Sequence, residues 1–169
     1  MKKTIATRIR ELTDEATKRF TSPVTYLFGS NKHYHIDMDD MHEFMGDLQN
    51  QAHESGRRFA YFIVTDETLV GYHYHMIVFT SDRDFGNSFR LAAFVDRVWR
   101  DHFPDAPNLF YPENNMHRLH SQREEFLKRA EYYSRTDKGQ VPHSLGKHSK
   151  RYWSSHIRAF LKNSMDRAA

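Results

Sequence analysis

The feature that most constrains this chain is a pair of consecutive apolar runs, Arg58 to Asp66 (RFAYFIVTD) and Tyr72 to Thr80 (YHYHMIVFT), separated only by Glu67 to Gly71. Aromatic and β-branched side chains fit a pleated, buried surface, and so short a link suits an antiparallel hairpin. These two runs are expected to be the central strands of a sheet.

The flanking segments alternate between the helical and the extended period. Ile5, Ile9, Leu12, Ala16 and Phe20 recur at helical spacing, which predicts an amphipathic opening helix broken at Thr21, Ser22 and Pro23. Val24 to Phe28 read as a short strand ending at Gly29, and His33 to Met38 as a second extended piece. Asp37 caps a helix carrying Met41, Phe44, Met45, Leu48 and Ala52, which stops at Gly56. Leu91, Phe94, Val95, Val98 and His102 mark another helix ended by Pro104, and Leu109 to Tyr111 read as a strand. Ser121 and Glu124 have the spacing of a capping box that opens a helix running to about Arg135. This order predicts an α+β fold, an antiparallel sheet with helices on one face.

The chain has 169 residues, a length for one domain with small appendages. The organisation expected is an N-terminal helix over 1–22, a core over 23–137, and a basic segment over 138–169 that packs on the core or extends it. With no Cys, disulfides, thiolate zinc sites and cysteine nucleophiles are excluded. The longest apolar runs fall far short of a membrane span, and the charged start lacks the apolar stretch of a signal peptide, so a cytoplasmic protein is expected. With only 7 Gly there is no Walker-type phosphate loop.

Charge is unevenly placed. The net +3 from 25 Lys plus Arg against 22 Asp plus Glu would become +15 if all 12 His were protonated, a steep dependence between about pH 5 and 7. Between Lys138 and Met165 stand Lys138, Lys147, Lys150, Arg151, Arg158 and Lys162 with no acid, interleaved with Tyr152 and Trp153. That mixture suits a phosphate backbone and stacked bases. A solvated basic tail has the same composition.

Three further groups carry chemistry. His73 and His75, two apart on a strand, leave the same face about 7 Å apart along the backbone and can converge on one ion. Histidines are abundant here, and His33-Tyr34-His35 repeats the spacing, so the pair alone is not diagnostic. Asp66 or Glu67, at the end of the preceding strand, would sit beside the pair, and a one-residue register decides which. Two imidazoles and a carboxylate with open positions suit manganese or magnesium acting on a phosphate. On the last helix, at about 100° per residue, Tyr133 shares the apolar stripe of Phe126 and Ala130. Tyr132 falls between Lys128 and Arg135, the cationic setting in which a phenol can become a nucleophile. Without further context it is an ordinary exposed tyrosine.

Taken together, GYHYHMIVF followed far downstream by AEYYSRTDK resembles the HUH endonucleases, and within them the inovirus-type phage and prophage replication initiators. His35-Ile36-Asp37, Asn114-Asn115 and Lys150-Arg151-Tyr152-Trp153 match in order, so the resemblance spans about residues 30 to 155. It implies an RRM-like HUH core and a divalent ion, manganese or magnesium, on His73, His75 and most nearly Asp66, with Glu67 one slip away. It also implies attack by Tyr132 on single-stranded or hairpin DNA at an origin. The product would be a 5′-phosphotyrosine and a free 3′ hydroxyl, as in rolling-circle replication in a bacterial host cell, with a host helicase or polymerase as a further partner. Lys128, Arg135 and Lys138 would neutralise developing charge, while Lys147, Lys150, Arg151 and Trp153 would grip the strand. Arg135 stands where the family usually has Lys, which keeps the charge but removes a proton donor. Two other readings share the scaffold: a non-catalytic DNA- or RNA-binding regulator, and a small single-tyrosine HUH transposase.

Overall fold

The two apolar runs do form the centre of a sheet. The computed structural model describes residues 4–67, 71–134 and 150–154. Their element order is α1 (Ile5–Arg19), β1 (Pro23–Gly29), α2 (Met38–Glu54), β2 (Ala60–Glu67), β3 (Tyr72–Ser81), α3 (Asp82–Phe85), α4 (Ser88–His102), β4 (Met116–Arg118), α5 (Leu119–Ser134) and β5 (Lys150–Ser154). The sheet has five strands in the order β4-β1-β3-β2-β5, and every pairing is antiparallel. The fold is thus α+β on an antiparallel sheet.

Helices cover both faces of that sheet, not one. Val24, Tyr26 and Phe28 of β1, Ile63 of β2, and Tyr74, Met76 and Val78 of β3 pack with α2 and α4. Leu27, Phe62, Val64, Ile77 and Phe79 point the other way and pack with α1 and α5. A one-sided sheet would show polar residues at alternate strand positions, whereas all seven residues of β1 are buried. Continuous apolar runs are what a strand needs when both its faces are covered.

Most helix limits follow from local chemistry. Thr4 caps α1, accepting from the Thr7 amide, and Asn87 caps α4 by accepting from Arg90. Asp37 is the N-cap of α2 but makes no side-chain capping bond, and its Oδ1 lies 2.9 Å from His35 Nε2. Gly56, at φ +75°, takes the left-handed turn that ends α2. Ser121 does not open α5: the helix begins at Leu119 and is kinked at Gln122, whose side chain accepts from the Arg118 amide. The segment His33 to Met38 is not a strand, and the extended 109–111 segment reduces to a single bridge between Phe110 and Gly29. The edge strand β4 and the one-turn α3 have too few residues for any periodicity to show.

On the α5 side of the sheet, His117 of β4 is 1% exposed, lies against Phe126, and neither ring nitrogen has a hydrogen-bond partner. Burial, aided by Arg129, pushes its pKa below 6.5, so below that value the unfolded chain binds a proton that the folded chain resists. Stability is therefore lost as pH falls from about 6.5 toward the lowered folded value. We expect His117→Leu to gain melting temperature relative to the parent chain as pH is lowered from 8 to 5.5, measured by calorimetry. A difference independent of pH would refute the assignment.

Candidate functional site

Successive odd residues of β3 (Phe79, Ile77, His75, His73) lead along one face of the sheet from the core to its open end. The α5 residues above them keep step. Phe126 meets Phe79 edge-on at 6.1 Å between ring centres, and Tyr133, seven residues later, stacks on His75 at 4.5 Å. Seven helical residues advance about 10.5 Å, and four strand residues about 13 Å, so helix and strand track each other in opposite directions. This packing fixes the end of α5 over the histidine pair.

The β2–β3 register sets Asp66 directly opposite His73 and Val64 opposite His75. Asp66 Oδ2 lies 3.0 Å from His75 Nε2, and the two histidine rings meet edge to face at 4.4 Å. One ligand atom from each of Asp66, His73 and His75 falls within 4.8 Å of the others. The side chains of His75 and Asp66 are 17% and 15% exposed, so the charge is only partly screened by water. Of the two adjacent acids it is Asp66 that belongs to this cluster. Glu67 pairs with Tyr72 in the register, and its side chain is outside the described part of the chain.

The cluster is braced from beneath. Tyr74, between the histidines, is buried on the opposite face, where its hydroxyl donates to the Ile36 carbonyl. Its amide donates to Ser30 Oγ, and its carbonyl accepts from the Ser30 amide. Gly29 faces His75 across the β1–β3 ladder, and a side chain there would press on the Tyr74 carbonyl. His35 Nδ1 accepts from the Tyr72 amide, and its Nε2 lies 2.9 Å from Asp37. In the neutral ring this fixes the proton on Nε2.

A groove of about 700 Å³ opens beside the cluster, and its lining includes His73, His75, Tyr132, Tyr133, Lys32 and Phe110. Tyr132 is 51% exposed. Tyr133 is buried against His75, and that burial raises its pKa to about 12. It is a protonated wall of the site, and Tyr132 is the more accessible hydroxyl.

The cation that α5 directs into the groove is Arg129. Lys128 is exposed and does not line it. Arg129 donates to the carbonyls of Glu113 and Asn114, at 2.8 and 2.6 Å, which fastens the 110–114 segment to α5. Its spacing from both tyrosines, i+3 and i+4, was the available signal in the sequence. Phe110 and Gly29 carried no such signal, because a single bridge between distant residues brings them together. Arg135, Lys138 and Lys147 lie outside the described residues. Lys150, Arg151 and Trp153 belong to β5, where Lys150 pairs with Asp66, and their side chains also fall outside the description.

Two imidazoles and a carboxylate are a ligand set that suits a divalent ion. Neighbouring ligands of a six-coordinate ion with bonds near 2.1 Å are about 3.0 Å apart. Asp66 Oδ2 and His75 Nε2 stand 3.0 Å apart as hydrogen-bond partners, and the ligand atoms of all three residues fall within 4.8 Å of one another, so an ion held by the three would take the place of that hydrogen bond. Among the described residues no helix is long and apolar enough to cross a membrane. In comparisons with known proteins, no family profile, no curated protein and no solved structure matches this chain.

Gly71, at φ +144°, directs the position of a Cβ onto the His35 ring. Gly71→Ala should lower unfolding stability by about 1–3 kcal/mol, read as a shift in denaturant midpoint. An unchanged midpoint would show that the His35 to Tyr72 contact does not hold the start of β3.

Proposed function

We propose that this chain is a metal-dependent single-stranded DNA endonuclease of the HUH type on an RRM-like core, with Tyr132 as nucleophile. The observation that carries this reading is an accessible tyrosine that lines the same groove as His73 and His75, the two histidines clustered with Asp66. A manganese or magnesium ion held by those three residues would supply Lewis-acid polarisation of a phosphate oxygen. Tyr132 Oη attacks the phosphorus of a DNA strand, forming an O–P bond as the bond to the 3′ oxygen breaks. The phenolic proton passes to solvent, and the released 3′ oxygen takes one up. The strand keeps a free 3′ hydroxyl, and the enzyme keeps the 5′ phosphate as a phosphotyrosine.

The remaining residues bind and orient. Arg129 offers fixed positive charge to the phosphate that Tyr132 attacks. By the resemblance, Lys128, Arg135 and Lys138 would neutralise developing charge, and Lys147, Lys150, Arg151 and Trp153 would extend the grip on the strand. Tyr133 holds the His75 ring flat through stacking. Single-stranded or hairpin DNA at a phage, prophage or plasmid origin in a bacterial cytoplasm is the substrate this chemistry serves. The released 3′ hydroxyl is a primer for a host polymerase.

Incubation of the full chain with end-labelled single-stranded origin DNA and manganese should give a covalent adduct on a denaturing gel. Tyr132→Phe should abolish the adduct while leaving binding on a native gel, and Tyr133→Phe should retain it. An adduct that persists in Tyr132→Phe moves the nucleophile elsewhere. DNA binding without an adduct across several origins and metals favours the non-catalytic regulator.

The metal site has its own test. Manganese at a hundredfold excess over its dissociation constant should stabilise the parent chain by about 2.7 kcal/mol. Asp66→Asn should lose that thermal shift at the same concentration. An equal shift in both proteins would place the ion on other ligands.

A further inference from the structure

We propose that Phe110 is a stacking platform for a nucleobase next to the attacked phosphate, and so a positioning residue for the strand. The proposal rests on the endonuclease reading for the identity of the strand. Its geometry stands independently of the chemistry at Tyr132.

Phe110 is 65% exposed, yet its backbone is tied to β1 by two hydrogen bonds. Its amide donates to the Gly29 carbonyl at 2.8 Å, and its carbonyl accepts from the Gly29 amide at 2.9 Å. Its neighbours are anchored on the other face of the sheet. Leu109 is buried in the α2–α4 core, and Tyr111 packs on Phe28 and donates to Asp96 at 2.7 Å. Strand alternation then turns Phe110 toward the face that carries His75 and Asp66. Arg129 clamps the segment just beyond it.

Gly29 pairs with His75 on one side and bridges to Phe110 on the other. With strands about 4.8 Å apart, Phe110 and His75 face each other across about 10 Å. The residue between them has no side chain, so the floor of the groove is open there. The aromatic ring forms one wall of that hollow and the histidine cluster the other.

The exposure of Phe110 is not part of a general pattern. Among the described residues three large hydrophobic side chains are classed as exposed, Phe89, Phe110 and Tyr132, and two of them line this groove. The other charged groups lining the groove are Lys32 and Arg129, and no Asp or Glu is among the lining residues. A ring beside fixed positive charge suits a base joined to its phosphate.

The test measures binding of the full chain, in EDTA, to a fluorescein-labelled thymidine 12-mer and to the abasic 12-mer with the same phosphates, by anisotropy. Phe110→Ala should weaken binding of the thymidine strand by about tenfold, and leave the abasic strand unchanged. Phe110→Leu should behave like Phe110→Ala, because it keeps apolar bulk without a π face, and Phe110→Trp should restore affinity. Phe89→Ala, on α4 and away from the groove, is the control and should bind as the parent does. Equal losses on both strands, full binding by Phe110→Leu, or no binding of the thymidine strand by the parent chain would each overturn the proposal. None of these outcomes depends on adduct formation, so the endonuclease reading stands or falls on Tyr132 separately.

Discussion

The register of the central hairpin is the constraint on which the site depends. Asp66 faces His73 only because β2 and β3 pair as they do. A slip of one residue would turn every side chain of one strand to the opposite face. The core enforces the pairing, since Phe62, Val64, Ile77 and Phe79 must reach the α1–α5 side while Ile63, Met76 and Val78 reach the α2–α4 side. A sheet buried on both faces penalises a slipped register twice, and the three polar side chains inherit that precision from apolar packing further along the same strands.

The electrostatics follow from where the cluster stands, at the margin between core and solvent. Asp66, His73 and His75 are partly buried, which strengthens their mutual interaction over that of surface groups while leaving an open side. Stacking of Tyr133 on His75 closes the flank next to the core, and burial keeps that phenol protonated. Tyr132 occupies the next position round the helix and stands at the groove. One helix thus provides a structural aromatic and an accessible hydroxyl from adjacent residues, since a step of about 100° separates a buried direction from an exposed one.

Much of this was legible in the chain. The hairpin runs, the opening helix and the α2 and α4 helices follow from period and caps. The side chains of His73 and His75 share a face by strand geometry alone. The two-sided packing was also legible in principle, because β1 has no polar alternation, but short apolar runs do not say how many faces are covered. Ser121 does not start the helix for a local reason: Gln122 takes non-helical angles, and its side chain accepts from the Arg118 amide. Helical phase alone does not say which flank of Tyr132 meets the groove, so it does not separate Arg129 from Lys128.

The sequence by itself determined β1, the two hairpin strands, the helices α1, α2 and α4, and the residue types able to hold a divalent ion or attack a phosphate, because these depend on local period and side-chain chemistry. Tertiary structure decided which of two adjacent acids joins the histidines, which cation enters the groove, and that Phe110 stands across from His75. Those outcomes depend on contacts between residues as far apart in the chain as Gly29, His75 and Phe110. Such contacts are fixed by strand register and by the packing of α5, and neither is encoded in any one segment.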